Sequence, residues 1–125
     1  MILGIGTDLV DVERVRRSVL RWGARWEMRV FSQDEIEYCR RFADPAPHYA
    51  GRFAAKEAVF KALPRQPRAF MPREIEIIET GAGRPEIKLS GRTQAAIEDY
   101  SPLKMHLSIS HEKATAAAFA VVEKV

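Results

Sequence analysis

Residues 51–63, GRFAAKEAVFKAL, constrain this chain more than any other stretch. Phe53, Glu57 and Phe60 stand at i, i+4 and i+7, one face of a helix, and the flanking aromatics predict that this face meets the core. A carboxylate on such a face has to be paired, protonated or bound to a cation, because burying it bare costs too much. Any fold for this sequence must therefore give Glu57 a partner. Lys61, one turn on, is a candidate within the helix. Arg52 and Lys56, also i and i+4, form a basic edge that reads equally well as a solvated face. Pro64 predicts that the helix stops at Leu63.

A second carboxylate stands in an unusual setting. MILGIGTDLV has a strand's bias ending near Asp8, with Ile2, Gly4, Gly6 and Asp8 on one face. Interior glycines weaken a strand but leave room for a ligand or another backbone, so this face reads as a shallow floor with an acid at its rim. The competing reading makes Asp8 or Asp11 the N-cap of a helix predicted over residues 11–22. Two such acids suit an oxygen-ligand site for Mg²⁺, which commonly uses one or two carboxylates and leaves positions for water and substrate phosphates. Lys61 would then aim a mobile cation at the same phosphates.

The rest of the pattern predicts an α+β fold, an antiparallel sheet with helices packed on it, in one domain over residues 1–125. The 11–22 helix has Val12, Val15, Val19 and Trp22 as its buried stripe, with Arg14, Arg17 and Arg21 roughly opposite. Ser32 followed by Glu35 is a capping-box signature for a second helix. PRQPRAFMP (64–72) is a stiff basic loop, and EIEIIET and EIKL are strands joined by GAGRP. SGRTQAAIEDY reads as a short helix capped by Ser90, and MHLSIS and TAAAFAVVE as a closing strand pair around HEKA. On the last strand, Ala116, Ala118 and Ala120 share a face open to close approach by another element, such as a neighbouring subunit.

No apolar run reaches membrane-span length, and the lone Cys39 cannot form an internal disulfide, so a cytoplasmic protein with an inert thiol is expected. The net charge of +3 permits an acidic partner without choosing among nucleic acid, a phosphorylated cofactor and an acidic protein. His111 closes a strand, His106 lies on that strand's other face and His48 sits in a loop before a helix, none with metal-ligand spacing to another. A small nucleic-acid-binding module would fit the charge but lacks aromatics interleaved with Arg and Lys. A purely structural oligomerisation protein leaves Glu57 unexplained.

GIGTDLVDVERV, MRVFSQDEIEYC, GRFAAKEAVFKAL and HLSISHEKATAAAFAV, in this order, resemble the successive signatures of the holo-[acyl-carrier-protein] synthases, the small bacterial 4′-phosphopantetheinyl transferases. The resemblance implies transfer of 4′-phosphopantetheine from coenzyme A to a serine of acyl carrier protein, with release of 3′,5′-ADP, for fatty acid synthesis. It puts Asp8 and Glu57 on the family's Mg²⁺ ligands and Lys61 on its active-site lysine. Arg52 and His111 fall on positions associated with the coenzyme A nucleotide. It also implies a homotrimer with active sites at subunit boundaries, and neither nucleic acid nor membrane as partner. Because the family's carriers are acidic along the helix after their serine, Arg14, Arg17 and Arg21 become the expected carrier-docking strip. The 64–72 loop departs from the family, whose members usually have a glycine-rich segment there.

Overall fold

The computed structural model describes residues 1–125. Strand β1 (Ile2–Asp11) leads directly into α1 (Val12–Trp22). Asp11 caps that helix, accepting from the Glu13 amide, which leaves Asp8 inside the strand. At Gly23 the chain takes φ 57° and donates its amide to the Val19 carbonyl, a turn that glycine enters without strain. A further helix, α2 (Ala24–Val30), follows this turn and was not apparent in the residue pattern. The turn leaves Trp22 half exposed instead of completing the buried stripe of Val12, Val15 and Val19.

Helix α3 (Gln33–Arg40) opens with the expected Ser32–Glu35 capping box. The long α4 (Ala46–Ala62) begins earlier than GRFAAKEAVFKAL suggested, with Pro47 tolerated in its first turn, and ends at Leu63 before Pro64. Strands β2 (Ile75–Ile78) and β3 (Glu86–Leu89) form the expected hairpin. In α5 (Gly91–Ala96), Ser90 makes no side-chain cap; the Glu74 carboxylate accepts from the Thr93 amide and hydroxyl instead. Strands β4 (Leu103–His111) and β5 (Thr115–Lys124) then join β1 in an antiparallel sheet of order β1-β5-β4.

The core face of α4 is not the Phe53–Glu57–Phe60 face. Ala54, Ala55, Ala58, Val59 and Ala62 are the buried stripe, seated on β1, β5 and β2. Phe53 and Phe60 are only half buried and are covered by Phe70, which folds back from the 64–72 loop to ring-centroid distances of 6.2 and 5.2 Å. Small side chains win the core position because the sheet beneath is itself small: a Cβ at Gly4 or Gly6 would collide with the carbonyls of Ala62 and Ala58. The glycine floor is therefore filled by the backbone of α4. Ala116, Ala118 and Ala120 are buried under the same helix, which corrects the expectation that they face another subunit.

The opposite face of the sheet is open. Ile5, Leu9 and Phe119 are 57%, 71% and 48% exposed, and the β1–β5 register sets Thr7 opposite Phe119 and Ile5 opposite Val121. A second cluster, around Phe31, Tyr49, Ile36 and Val15, joins α1, α2 and α3 to the first half of α4. Cys39 lies within it, where burial pushes its thiol up to about 12. No helix is long and apolar enough to cross a membrane.

The basic edge of α4 is buried as well. Lys56 is 0% exposed and donates to Glu35 Oε1 at 2.9 Å and to the carbonyls of Pro72 and Ile75 at 2.9 and 2.8 Å. Glu35 in turn accepts from the amides of Ser32 and Ile77. The ammonium thus uses all three donors, and one pair ties α3, α4 and β2 together. Burial lowers the Lys56 pKa, while the Glu35 charge opposes that shift. Lys56→Met should cost about 3–5 kcal/mol in urea denaturation, because it strands the Glu35 carboxylate. Lys56→Met with Glu35→Gln should recover part of that loss. A double variant no more stable than the single one would refute the unpaired-charge account.

Candidate active site

Two groups of polar side chains flank α4. The first lies where α4 crosses β1. Asp8, continuing the glycine face of β1, meets Glu57 and Lys61, which sit one turn apart on α4. Lys61 Nζ donates to Asp8 Oδ1 at 3.3 Å and to the Thr7 carbonyl at 3.1 Å. Lys61 therefore bridges helix to strand, whereas the sequence offered it as Glu57's partner within the helix. Burial raises the Glu57 pKa, and the adjacent Asp8 carboxylate adds to the rise; Lys61 and Arg14 oppose it. Two carboxylates lie side by side here, and the half-exposed Lys61 ammonium pairs with Asp8. Two adjacent carboxylates are hard oxygen donors that fit a Mg²⁺ ion keeping water or phosphate oxygens in its other positions.

The second group lines an open groove of about 910 Å³ between β4, the β2–β3 hairpin and α4. Arg52 and His111 are both in its wall, with Tyr38, His48, Arg84 and Lys104. Arg52 is nearly buried, its guanidinium lying 3.8 Å over the Tyr38 ring. Its Nε has no hydrogen-bond partner, and Nη2 stays 3.8 Å from the Glu79 carboxylate. Such a donor is costly unless an acceptor arrives. Arg84, in the glycine-rich hairpin turn, was not singled out by the sequence, and His48 was set in a loop but belongs to the first turns of α4.

Asp8, Glu57 and Lys61 are not in the groove wall. Arg52 and Glu57 are five residues apart, about 140° around the helix at 3.6 residues per turn. One chain thus brings the acids together, and separately gathers the groove cations. Arg14, Arg17 and Arg21 are all exposed on α1, and Arg14 is near enough to act on Glu57. The basic surface continues past Gly23 to Arg25 and Arg29, which flank the exposed Met28 on α2.

The family model of the 4′-phosphopantetheinyl transferase superfamily matches residues 4–120. The chain belongs to this superfamily. It is 40% identical over 123 residues to the holo-[acyl-carrier-protein] synthase of Clostridium kluyveri, covering 98% of this chain and 91% of that one. With the enzyme of that name from Syntrophus aciditrophicus it shares 38% over 124 residues, covering 98% and 97%. Among solved structures, holo-[acyl-carrier-protein] synthase from Neisseria meningitidis matches with a TM-score of 0.86 and 34% identity, covering 99% of this chain and 100% of that one. The Helicobacter pylori enzyme, solved in complex with coenzyme A, matches with a TM-score of 0.78 and 32% identity, covering 95% and 99%.

If the paired carboxylates are a cation site, Mn²⁺, standing in for Mg²⁺, should broaden amide resonances around Asp8 and Glu57 before any others. Asp8→Asn should weaken that effect at least tenfold in concentration, since half of the donor set goes. Broadening that survives Asp8→Asn and Glu57→Gln together would remove the ion from this site.

Proposed function

We propose that this chain transfers 4′-phosphopantetheine from coenzyme A to a serine of apo acyl carrier protein, releasing 3′,5′-ADP and readying the carrier for fatty acid synthesis. The observation that supports it most directly is the meeting of Asp8, Glu57 and Lys61 at one crossing of strand and helix, in a chain of this superfamily. The carrier's serine oxygen bonds to the phosphorus next to pantetheine as the bond to the bridging oxygen breaks. The electron pair leaves on 3′,5′-ADP. Reactions of this kind need positioning and charge neutralisation more than covalent help from the protein.

Asp8 and Glu57 would hold Mg²⁺, which when bound neutralises the diphosphate and polarises the attacked phosphorus. Lys61, on a flexible stem, is suited to exchange its bond to Asp8 for the leaving phosphate oxygens. The proton released by serine would pass to Glu57 or to a water held beside it. In the groove, Arg52 and His111 would bind the nucleotide end of coenzyme A. Because acids and groove occupy different sides of α4, the reading includes a homotrimer in which neighbouring subunits complete each site. The exposed Ile5, Leu9 and Phe119 supply an apolar face for a second copy.

The decisive experiment weighs apo acyl carrier protein after incubation with this protein, coenzyme A and Mg²⁺. A gain of one phosphopantetheine is expected, and no gain refutes the reading. Glu57→Gln or Asp8→Ala should lower kcat/KM by roughly two orders of magnitude or more with the fold intact, and the double variant should lose little further. Near wild-type turnover of Glu57→Gln would remove Glu57 from the mechanism.

The exposed arginines of α1 are the proposed carrier-docking strip. Arg14→Glu with Arg21→Glu should raise the carrier's KM at least tenfold and leave that of coenzyme A unchanged, and moderate salt should reproduce part of this in the wild type. Normal carrier kinetics in that variant at low salt would return the strip to ordinary solvated surface. Phe119→Glu should disperse the oligomer in sedimentation and abolish transfer, while leaving each subunit folded. An active wild-type monomer at assay concentration would refute the shared site.

A further inference from the structure

The groove holds a histidine for which the proposed reaction has no use. His48, half-buried in the first turns of α4, stacks on Phe42 with ring centroids 3.5 Å apart and planes 12° from parallel. It stands edge-on to Tyr38 at 6.4 Å and to His111 at 5.1 Å. Arg52, one turn along the helix, lies over the same Tyr38 at 3.8 Å, with its buried Nε unpartnered. Three nitrogen-bearing side chains from α4 and β4 therefore line one wall of the groove, all held by aromatic stacking, helix or strand. The nearest acid to Arg52, Glu79, stays beyond hydrogen-bond distance.

The charges around His48 come from every neighbouring element. Arg52 acts from α4 itself, His111 from β4, and Asp44 from the segment between α3 and α4. Tyr38 faces it edge-on from α3. Burial, then His111, then Arg52 push the His48 pKa below its ordinary value, and only Asp44 opposes them. Asp44 is already bonded to Arg16 at 2.5 Å. Burial first, and the neighbouring side chains after it, thus disfavour the imidazolium form of His48, and an anion arriving in the groove would oppose that.

We propose that His48, Arg52 and His111 form one clamp for a phosphate ester, and that His48 takes up a proton from solvent as the phosphate binds. The inference rests on the coenzyme A reading of the groove. A phosphate monoester brings nearly two negative charges among these three side chains, and that charge favours the imidazolium. A neutral imidazole donates through one nitrogen only, whereas the imidazolium donates through both, and its bond to phosphate is charge-assisted. Linkage fixes the sign. Between the free and bound titration midpoints of His48, nucleotide affinity falls as pH rises, by up to about tenfold per unit, and outside that window this contribution is flat.

The test is an NMR titration of the imidazole signals of the intact protein, with and without saturating 3′,5′-ADP. Loss of a signal in His48→Phe identifies His48; His106→Asn and His111→Asn identify it by elimination should the first variant fail to fold. The His48 midpoint should rise by at least about one unit when the nucleotide binds. Calorimetry near neutral pH, in buffers of different ionisation enthalpy, should show proton uptake beyond that of His48→Phe, which subtracts the titration of the ligand's own phosphate. Binding of 3′,5′-ADP with an unmoved His48 midpoint overturns the proton coupling and leaves the groove's assignment standing. No binding of 3′,5′-ADP overturns both.

Discussion

Helix α4 sits on the sheet with almost nothing between their backbones. Gly4 and Gly6 lie under the carbonyls of Ala62 and Ala58, and Ala116, Ala118 and Ala120 continue the small-residue floor across β5. Close-packed interiors tolerate little volume change, so this contact fixes both the height and the rotation of the helix over the sheet. Everything polar about the protein follows from that rotation. The first residue of β1 beyond the glycines that points toward the helix is Asp8, and the side chains at the helix's edge there are Glu57 and Lys61. The acid pair is the rim of the same contact whose centre is glycine and alanine.

Buried charge along α4 falls into two kinds. Lys56 has an ion pair and two carbonyls for its three donors, and its partner Glu35 accepts from two amides, one of them the Ser32 amide that closes the capping box. Such a pair asks nothing of a ligand; its effect is to lock α3, α4 and β2 in one arrangement. Glu57 and Arg52 are the reverse. One carries a proton affinity raised by burial and by a like charge, and the other keeps a buried donor without an acceptor. Groups left in that condition by an otherwise well-satisfied core are where a protein expects something to arrive.

This contrast also explains how far the sequence could be read. The α+β pattern, the capping box at Ser32, the helix end at Leu63 and the β2–β3 hairpin follow local rules of period, capping and turn chemistry, and all are present. The face of α4 did not follow. Period alone chose Phe53 and Phe60 as the core side because they are large, whereas the glycine floor of β1 draws the helix backbone in so closely at Ala58 and Ala62 that the seat is made of small residues. That is non-local information. The same cause hid Lys56: its partners Glu35, Pro72 and Ile75 come from three other segments, so at the level of one helix it was indistinguishable from a solvated lysine. Asp8 and Glu57 could be suspected singly from their settings, but only the crossing of β1 and α4 makes them neighbours.

The rotation that joins the acids separates them from the groove. Arg52 and Glu57 differ by about 140° around α4, an angle set by the helix itself that no roll of it on the sheet can change, and the close seat of Ala58 and Ala62 on the glycines fixes which side each faces. A long, flexible substrate with its charge concentrated at one end can satisfy both groups only by wrapping the helix or by lying between two copies of the chain. The open face of the sheet favours the second route. Phe119 and its neighbours on β1 lie on the side of β5 opposite α4, so a subunit docking there leaves the helix seat undisturbed while reaching the groove edge that Phe119 and Val121 share. On the proposed reading, assembly is therefore not an addition to the active site but the step that gives each acid pair a nucleotide to act on.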